Sequence, residues 1–241
     1  MTVIGLIGGM SWESSLIYYR LLNERTRARH GGQRSADILM RSVDFETIVA
    51  LQKADRWDEA GAVLAQAAAG LEAGGADCVL ICTNTMHLVA PAVSRALAVP
   101  LIDIIAATGV AVRTAGFKRP LLLSTRYTAE HGFYAERMQA SAGIEVMTPA
   151  SAEARGRVHD IIFSELCQGI VRPASREEMR RIVADGVAAG ADCVILGCTE
   201  LCLLVDDESL ACPVFDSTAI HVDAALAFAE GEAAPSIASA A

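Results

Sequence analysis

Two short stretches of this chain combine groups that move protons with groups that hold carboxylates. The first is Cys82-Thr83-Asn84-Thr85-Met86-His87 and the second is Gly197-Cys198-Thr199-Glu200. Both lie in an internal repeat. Ala76-Asp77-Cys78-Val79-Leu80-Ile81 aligns without gaps on Ala191-Asp192-Cys193-Val194-Ile195-Leu196. The same register sets Thr83 against Cys198 and Asn84 against Thr199. A thiol ionises far more readily than a hydroxyl, so Cys198 is the candidate base. Thr83 donates a proton more easily than it accepts one. The hydroxyl and amide side chains beside each suit a carboxylate, helped by N–H groups at a helix start. A cysteine in such a place can also have a lowered pKa and be thiolate near neutrality. The plainer alternative for Cys198 is a buried thiol in a turn; the polar Thr-Glu that follows argues against it.

Such motifs need rigid elements behind them. Short apolar runs at Val3–Gly8, Asp37–Ser42, Cys78–Cys82, Pro100–Ile104, Leu121–Ser124, Glu145–Met147, Cys193–Gly197 and Pro213–Phe215 read as strands. Helix-length segments separate most of them, among them Glu13–Arg29, Trp57–Ala73, Ala129–Ala142, Arg157–Cys167 and Ser175–Ala189. This alternation predicts an α/β fold with parallel sheets covered on both faces. Ligands of such sheets bind beyond the carboxyl ends of the strands, where both repeat arms end. The repeat predicts two pseudo-symmetric α/β lobes: residues 1–98 with 213–229, and residues 99–212. The C-terminal helix is expected to return to the first lobe. Residues 230–241, rich in Ala, Ser and Glu, read as a disordered tail.

Composition narrows the function classes. Net charge is −9 over 241 residues, so there is no basic footprint for nucleic acid or an anionic membrane surface. Mean hydropathy is high at +0.36, yet no apolar run approaches the ~20 residues that span a bilayer. The first residues read as a strand, not a signal peptide, which predicts a cytoplasmic protein. The seven cysteines include no C-x-x-C and have too little histidine nearby for zinc, so no disulfide framework or metal site is expected. Gly5-Leu6-Ile7-Gly8-Gly9-Met10 is neither a dinucleotide fingerprint nor a P-loop. It reads as a close backbone approach to a small ligand, as a tight turn before a helix capped by Ser11, or as both.

Gly5-x-x-Gly8-Gly9-Met10-Ser11-Trp12-Glu13-Ser14, Asn84-Thr85-Met86-His87 and Gly197-Cys198-Thr199-Glu200 together resemble the aspartate/glutamate racemase family. The resemblance spans roughly Thr2 to Ala229. It implies cofactor-free amino-acid racemisation, without pyridoxal phosphate or metal. It also implies a cleft between two Rossmann-like lobes and a homodimer. Many members carry Cys directly before that Asn; here the position is Thr83, and the chain is similar to a branch that pairs Thr with Cys. Thr83 and Cys198 are then the catalytic pair. Met10, Gln52, Asn84, Thr85, Thr125, Thr128, Thr199 and Glu200 are the implied substrate-binding residues. Cys82, one residue off that register, is expected to face the core. Members acting on aspartate grip its distal carboxylate with basic residues. The matching stretches Val49–Gln52 and Glu165–Gln168 hold no Lys or Arg, which leaves glutamate, aspartate or another polar amino acid open as substrate. Decarboxylation of disubstituted malonates on the same fold, and amino-acid binding without catalysis, are the alternatives.

Overall fold

A computed structural model describes residues 2–205, 210 and 212–233. In the first half, β1 (Val3–Gly8) leads into α1 (Trp12–His30), followed by β2 (Asp37–Ser42), α2 (Phe45–Lys53) and α3 (Trp57–Ala73). Then come β3 (Cys78–Ile81), a 3-10 turn at Thr85–Val89, α4 (Ala90–Arg95), β4 (Leu101–Ile102) and α5 (Ile104–Thr114). The second half runs β5 (Pro120–Ser124), α6 (Arg126–Glu130), α7 (Phe133–Ala142), α8 (Ala152–Ser164), α9 (Pro173–Ala188), β6 (Cys193–Gly197) and β7 (Val214–Asp216). It ends on α10 (Ser217–Ala229). Every strand pairing is parallel, in the orders β2-β1-β3-β4 and β5-β6-β7. Among the described residues, no helix is long and apolar enough to cross a membrane.

Two compact units result: residues up to Ile104 together with those from His221 onward, and Ile105–Ile220. The boundaries expected after residues 98 and 212 therefore shift, for a hydrogen-bonding reason. β4 pairs with β3 and belongs to the first sheet. β7 pairs with β6 and stays with the second. Of the expected tail, residues 234–241 lie outside the described residues. Glu230 is engaged: its carboxylate accepts from Arg29 at 3.2 Å.

Burial on both faces explains why β1 and β3 are apolar without alternation. Ile7, Val79, Ile81 and Leu101 pack with Leu64, Ala68 and Leu71 of α3. Ile4, Leu6, Cys78, Leu80, Cys82 and Ile102 pack on the other side with Tyr18 and Leu22 of α1 and Val222, Ala225 and Leu226 of α10. In the second unit, Leu121, Leu123, Val194 and Leu196 meet Val158, Ile161, Met179 and Val183 of α8 and α9.

The repeated Gly-Ala-Asp has the same job in both halves. Gly75 and Gly190, at φ 99° and 101°, turn the chain out of the preceding helix. The Asp77 carboxylate then accepts the Val3 N–H at 2.7 Å, tying the start of β1 to that of β3. The Asp192 carboxylate accepts the N–H groups of Lys118 and Arg119 at 2.8 and 3.0 Å, tying β5 to β6.

Several elements depart from expectation. The helix expected over Arg157–Cys167 is α8, which starts at Ala152 because the Ser151 hydroxyl caps it by accepting the Ala154 N–H at 3.0 Å, and it ends at Ser164. Glu145–Met147 is no strand; Met147 makes one parallel bridge to Leu121. The helix expected over Ala129–Ala142 is broken because Gly132, at φ 76°, takes a left-handed conformation between α6 and α7.

Candidate active site

Each arm leaves its own sheet at the carboxyl end of an inner strand, β3 for the first and β6 for the second. In the first, strand alternation sends Cys82 to the same side as Cys78 and Leu80, where it is 1% exposed among Tyr18 and Leu22. Burial pushes its thiol well above its ordinary pKa. The chain then tightens: the Thr83 N–H donates back to the Ile81 carbonyl at 2.8 Å, a three-residue turn. Thr83 is half-buried, between the buried residues Cys82 and Asn84. Asn84 and Thr85 are 2% and 7% exposed.

The second arm repeats this pattern. Cys198 is half-buried between Gly197 and Thr199, which are both buried. The aligned positions of the two arms are thus the ones not fully buried in their motifs, although Cys198 still packs against the second unit's core. Glu200, buried like Thr199, turns its carboxylate back on the motif. Its Oε2 accepts from the Cys198 thiol at 3.0 Å and from the Thr199 hydroxyl at 2.6 Å. Its Oε1 lies 3.7 Å from the Cys167 sulfur. The expectation of a lowered Cys198 pKa is corrected here. Burial first, then the negative charge of Glu200 and the neighbouring Cys167, hold the thiol well above its ordinary value. Cys198 rests as a thiol.

Of the other expected residues, Thr125 caps α6. Its hydroxyl accepts the Thr128 N–H at 3.4 Å and lies 3.2 Å from the Thr128 hydroxyl; both residues are buried. Met10 and Gln52 are buried, as are Asn84, Thr85, Thr128 and Thr199. Met10 is part of the first unit's core. The Gln52 amide, also buried, donates to the Met86 sulfur at 3.1 Å. The glycine-rich turn is filled by protein. The Gly9 N–H donates to the Ser15 hydroxyl at 2.8 Å. With φ at 90°, a side chain on Gly9 would run into the Val43 carbonyl. The Ser11 hydroxyl caps α1 by accepting the Ser14 N–H. These contacts make the tight turn.

A buried polar group behind the first arm has no counterpart in the motif spacing. The fully buried His221 of α10 meets Tyr18 of α1, its Nδ1 2.7 Å from the tyrosine hydroxyl. Its Nε2 lies 2.8 Å from the Ile102 carbonyl. Desolvation first, then the adjacent His87, pushes its pKa down to about 3. Sequence could not pair two residues so far apart. Among the described residues, no three His, Cys, Asp or Glu side chains converge to hold a metal ion.

Known proteins resemble the chain across this whole arrangement. A crystal structure of a Yersinia pestis protein, assigned by inference as an Asp/Glu racemase, is 45% identical; the match covers 95% of this chain and all of that one, with a TM-score of 0.88. An aspartate racemase homologue from Pyrococcus horikoshii OT3 is 32% identical over 95% of this chain and all of its own, at a TM-score of 0.83. Picrophilus torridus aspartate racemase shares the fold at 21% identity and a TM-score of 0.75, over 97% and 96% of the two chains. The model of the Asp/Glu/Hydantoin racemase family matches residues 7–225. With nearly its full length inside that match, the chain belongs to the Asp/Glu/Hydantoin racemase family.

Proposed function

We propose that the protein racemises a polar amino acid, glutamate, aspartate or a relative, without a cofactor, by proton transfer at the α-carbon between Thr83 and Cys198. The observation that carries this reading is that the two residues aligned by the repeat are also the ones left only half-buried in otherwise buried motifs. The names of the similar proteins, an aspartate racemase homologue among them, point the same way.

Cys198 must be thiolate to take a proton, and it rests as a thiol. The Glu200 carboxylate at 3.0 Å is placed to accept the thiol proton. The thiolate then removes the α-proton of the L-enantiomer, and Thr83, directly or through water, delivers a proton to the opposite face; solvent then takes the proton from Glu200 and returns one to Thr83, which closes the cycle. Negative charge builds on the substrate carboxylate as the α-proton leaves. Fixed hydroxyl and N–H donors at Thr85, Thr125, Thr128 and Thr199 would stabilise it. The Gln52 amide has a soft partner in the Met86 sulfur, which a substrate side-chain oxygen would displace at small cost.

The protein acts as a homodimer in this reading. Trp12, Leu16 and Tyr19 are 62%, 55% and 52% exposed along one face of α1, an apolar stripe of the kind that marks association surfaces.

The test is α-proton exchange in D2O followed by NMR, with a panel of L-amino acids and no added cofactor. Loss of the α-proton signal together with appearance of the D-enantiomer is expected for acidic or amide side chains. Binding without exchange across the panel, or CO2 release from a disubstituted malonate with no exchange, overturns the reading.

A further inference from the structure

Thr83 is held by its main chain. Its N–H is bound to the Ile81 carbonyl, and its carbonyl lies 2.8 Å from Nδ1 of His87. A carbonyl only accepts, so His87 Nδ1 carries the proton. Consistent with that tautomer, Nε2 accepts the Ile104 N–H at 3.3 Å, at the start of α5. His87 is fully buried and lies edge-on to the His221 ring, with ring centres 5.8 Å apart. His221 has the opposite tautomer: Nε2–H donates to the Ile102 carbonyl and Nδ1 accepts from Tyr18. The two imidazoles thus take hold of the chain on both sides of Asp103, at Ile102 and Ile104, and one of them reaches on to Thr83.

We infer that His87 is a positioning residue for Thr83: its Nδ1–H fixes the Thr83 carbonyl, and through it the direction in which the Thr83 hydroxyl is offered. Resting on the racemase reading, this adds the reason a threonine can serve at that place. A weak proton donor needs accurate placement, and a displacement of about 1 Å can cost on the order of a hundredfold in rate. His87 itself exchanges no proton with substrate. Both of its nitrogens are committed to the main chain.

Asparagine and glutamine separate this role from bulk packing. Asn places an amide N–H near the Nδ1 position, whereas Gln extends toward the Nε2 position. Saturating turnover from both enantiomers, KM and iodoacetamide alkylation of Cys198 are to be measured for the wild type, His87→Ala, His87→Asn and His87→Gln. Turnover should fall on the order of tenfold to a hundredfold in the Ala and Gln variants. KM and Cys198 alkylation should change little, and Asn should restore most of the turnover. The pH profile of the Asn variant should keep the wild-type shape. If His87→Ala does not fold, the contrast between Asn and Gln decides. Equal activity of Asn and Gln, wild-type turnover in Ala, or a lost pH limb in Asn overturns the role. Long-range 1H–15N NMR of the wild type gives a readout free of turnover. The Nδ1–H tautomer at His87 is expected, and Nε2–H or imidazolium refutes the clamp even if the protein proves to be no racemase.

Discussion

At the scale of single residues, the two neighbouring positions of the first arm separate cleanly. Cys82 packs in the core and Thr83 is half-buried. Cys82→Ala should therefore cost about 1 kcal/mol of stability and leave turnover near wild type. Cys198→Ala should lose about 10²- to 10⁴-fold in turnover, the usual range for a general base, with the fold intact by circular dichroism. A folded Cys198→Ala protein that still racemises would remove the thiol from the mechanism. Thr83 makes a second expectation. In the D-to-L direction Thr83 must act as base, which its high pKa disfavours, so saturated turnover should be faster from L than from D. Enantiomers have equal free energy in water, so kcat/KM must be equal both ways, and the slower direction must show the lower KM. Thr83→Cys should narrow the difference by supplying a more ionisable group. Steady-state rates from both enantiomers check this, and D turnover matching L in the wild type would refute it.

At the scale of elements, hydrogen bonds far from the motifs hold the strand ends. Asp192 ties β5 to β6 through two main-chain N–H groups, and Asp77 ties β1 to β3 through one. Replacing either by Ala should destabilise its unit by about 1–3 kcal/mol, with Asp192 the costlier because it strands more donors. Urea unfolding measures both, and equal or reversed losses would contradict the shared role. The other expectation concerns acid. His221 is buried neutral with its pKa near 3, facing Tyr18, His87 and the Asp103 carboxyl. In the unfolded chain it titrates at its ordinary value near 6.5. Between those values the unfolded state binds the extra proton. Stability is therefore full above about pH 6.5 and is lost as pH falls toward 3. His221→Gln keeps an amide toward the Ile102 carbonyl without a titrating ring. Its melting temperature should fall less than the wild type's between pH 7 and pH 4, and an equal fall would remove His221 from the acid response.

At the scale of the whole molecule, the proposed homodimer makes the exposed face of α1 the surface to test. Trp12, Leu16 and Tyr19 recur at helical spacing, and all are more than half exposed. Light scattering at micromolar concentration should give the mass of a dimer. Leu16→Glu should weaken association at least about tenfold, equivalent to about 1.4 kcal/mol. A monomeric wild type would leave the stripe without that role.

Much of this was written locally. The apolar runs, the Gly-Ala-Asp exits and the two aligned arms depend on neighbouring residues, so the α/β class, most strands and the equivalence of Thr83 and Cys198 within the repeat could be read from the chain itself. Strand alternation alone placed Cys82 toward the core. Tertiary structure decided the rest, because those features depend on distant groups. Hydrogen bonding to β3 and β6 assigned β4 and β7 to their sheets, a choice two- and three-residue strands cannot announce. Spacing places a thiol at a turn, but burial and the back-turned Glu200 carboxylate set its protonation, and they reversed the expected shift. Folding also brought His221 beside Tyr18 and His87, and the Gln52 amide onto Met86. Desolvation and hydrogen bonding act through space, and a sequence orders residues only along the chain.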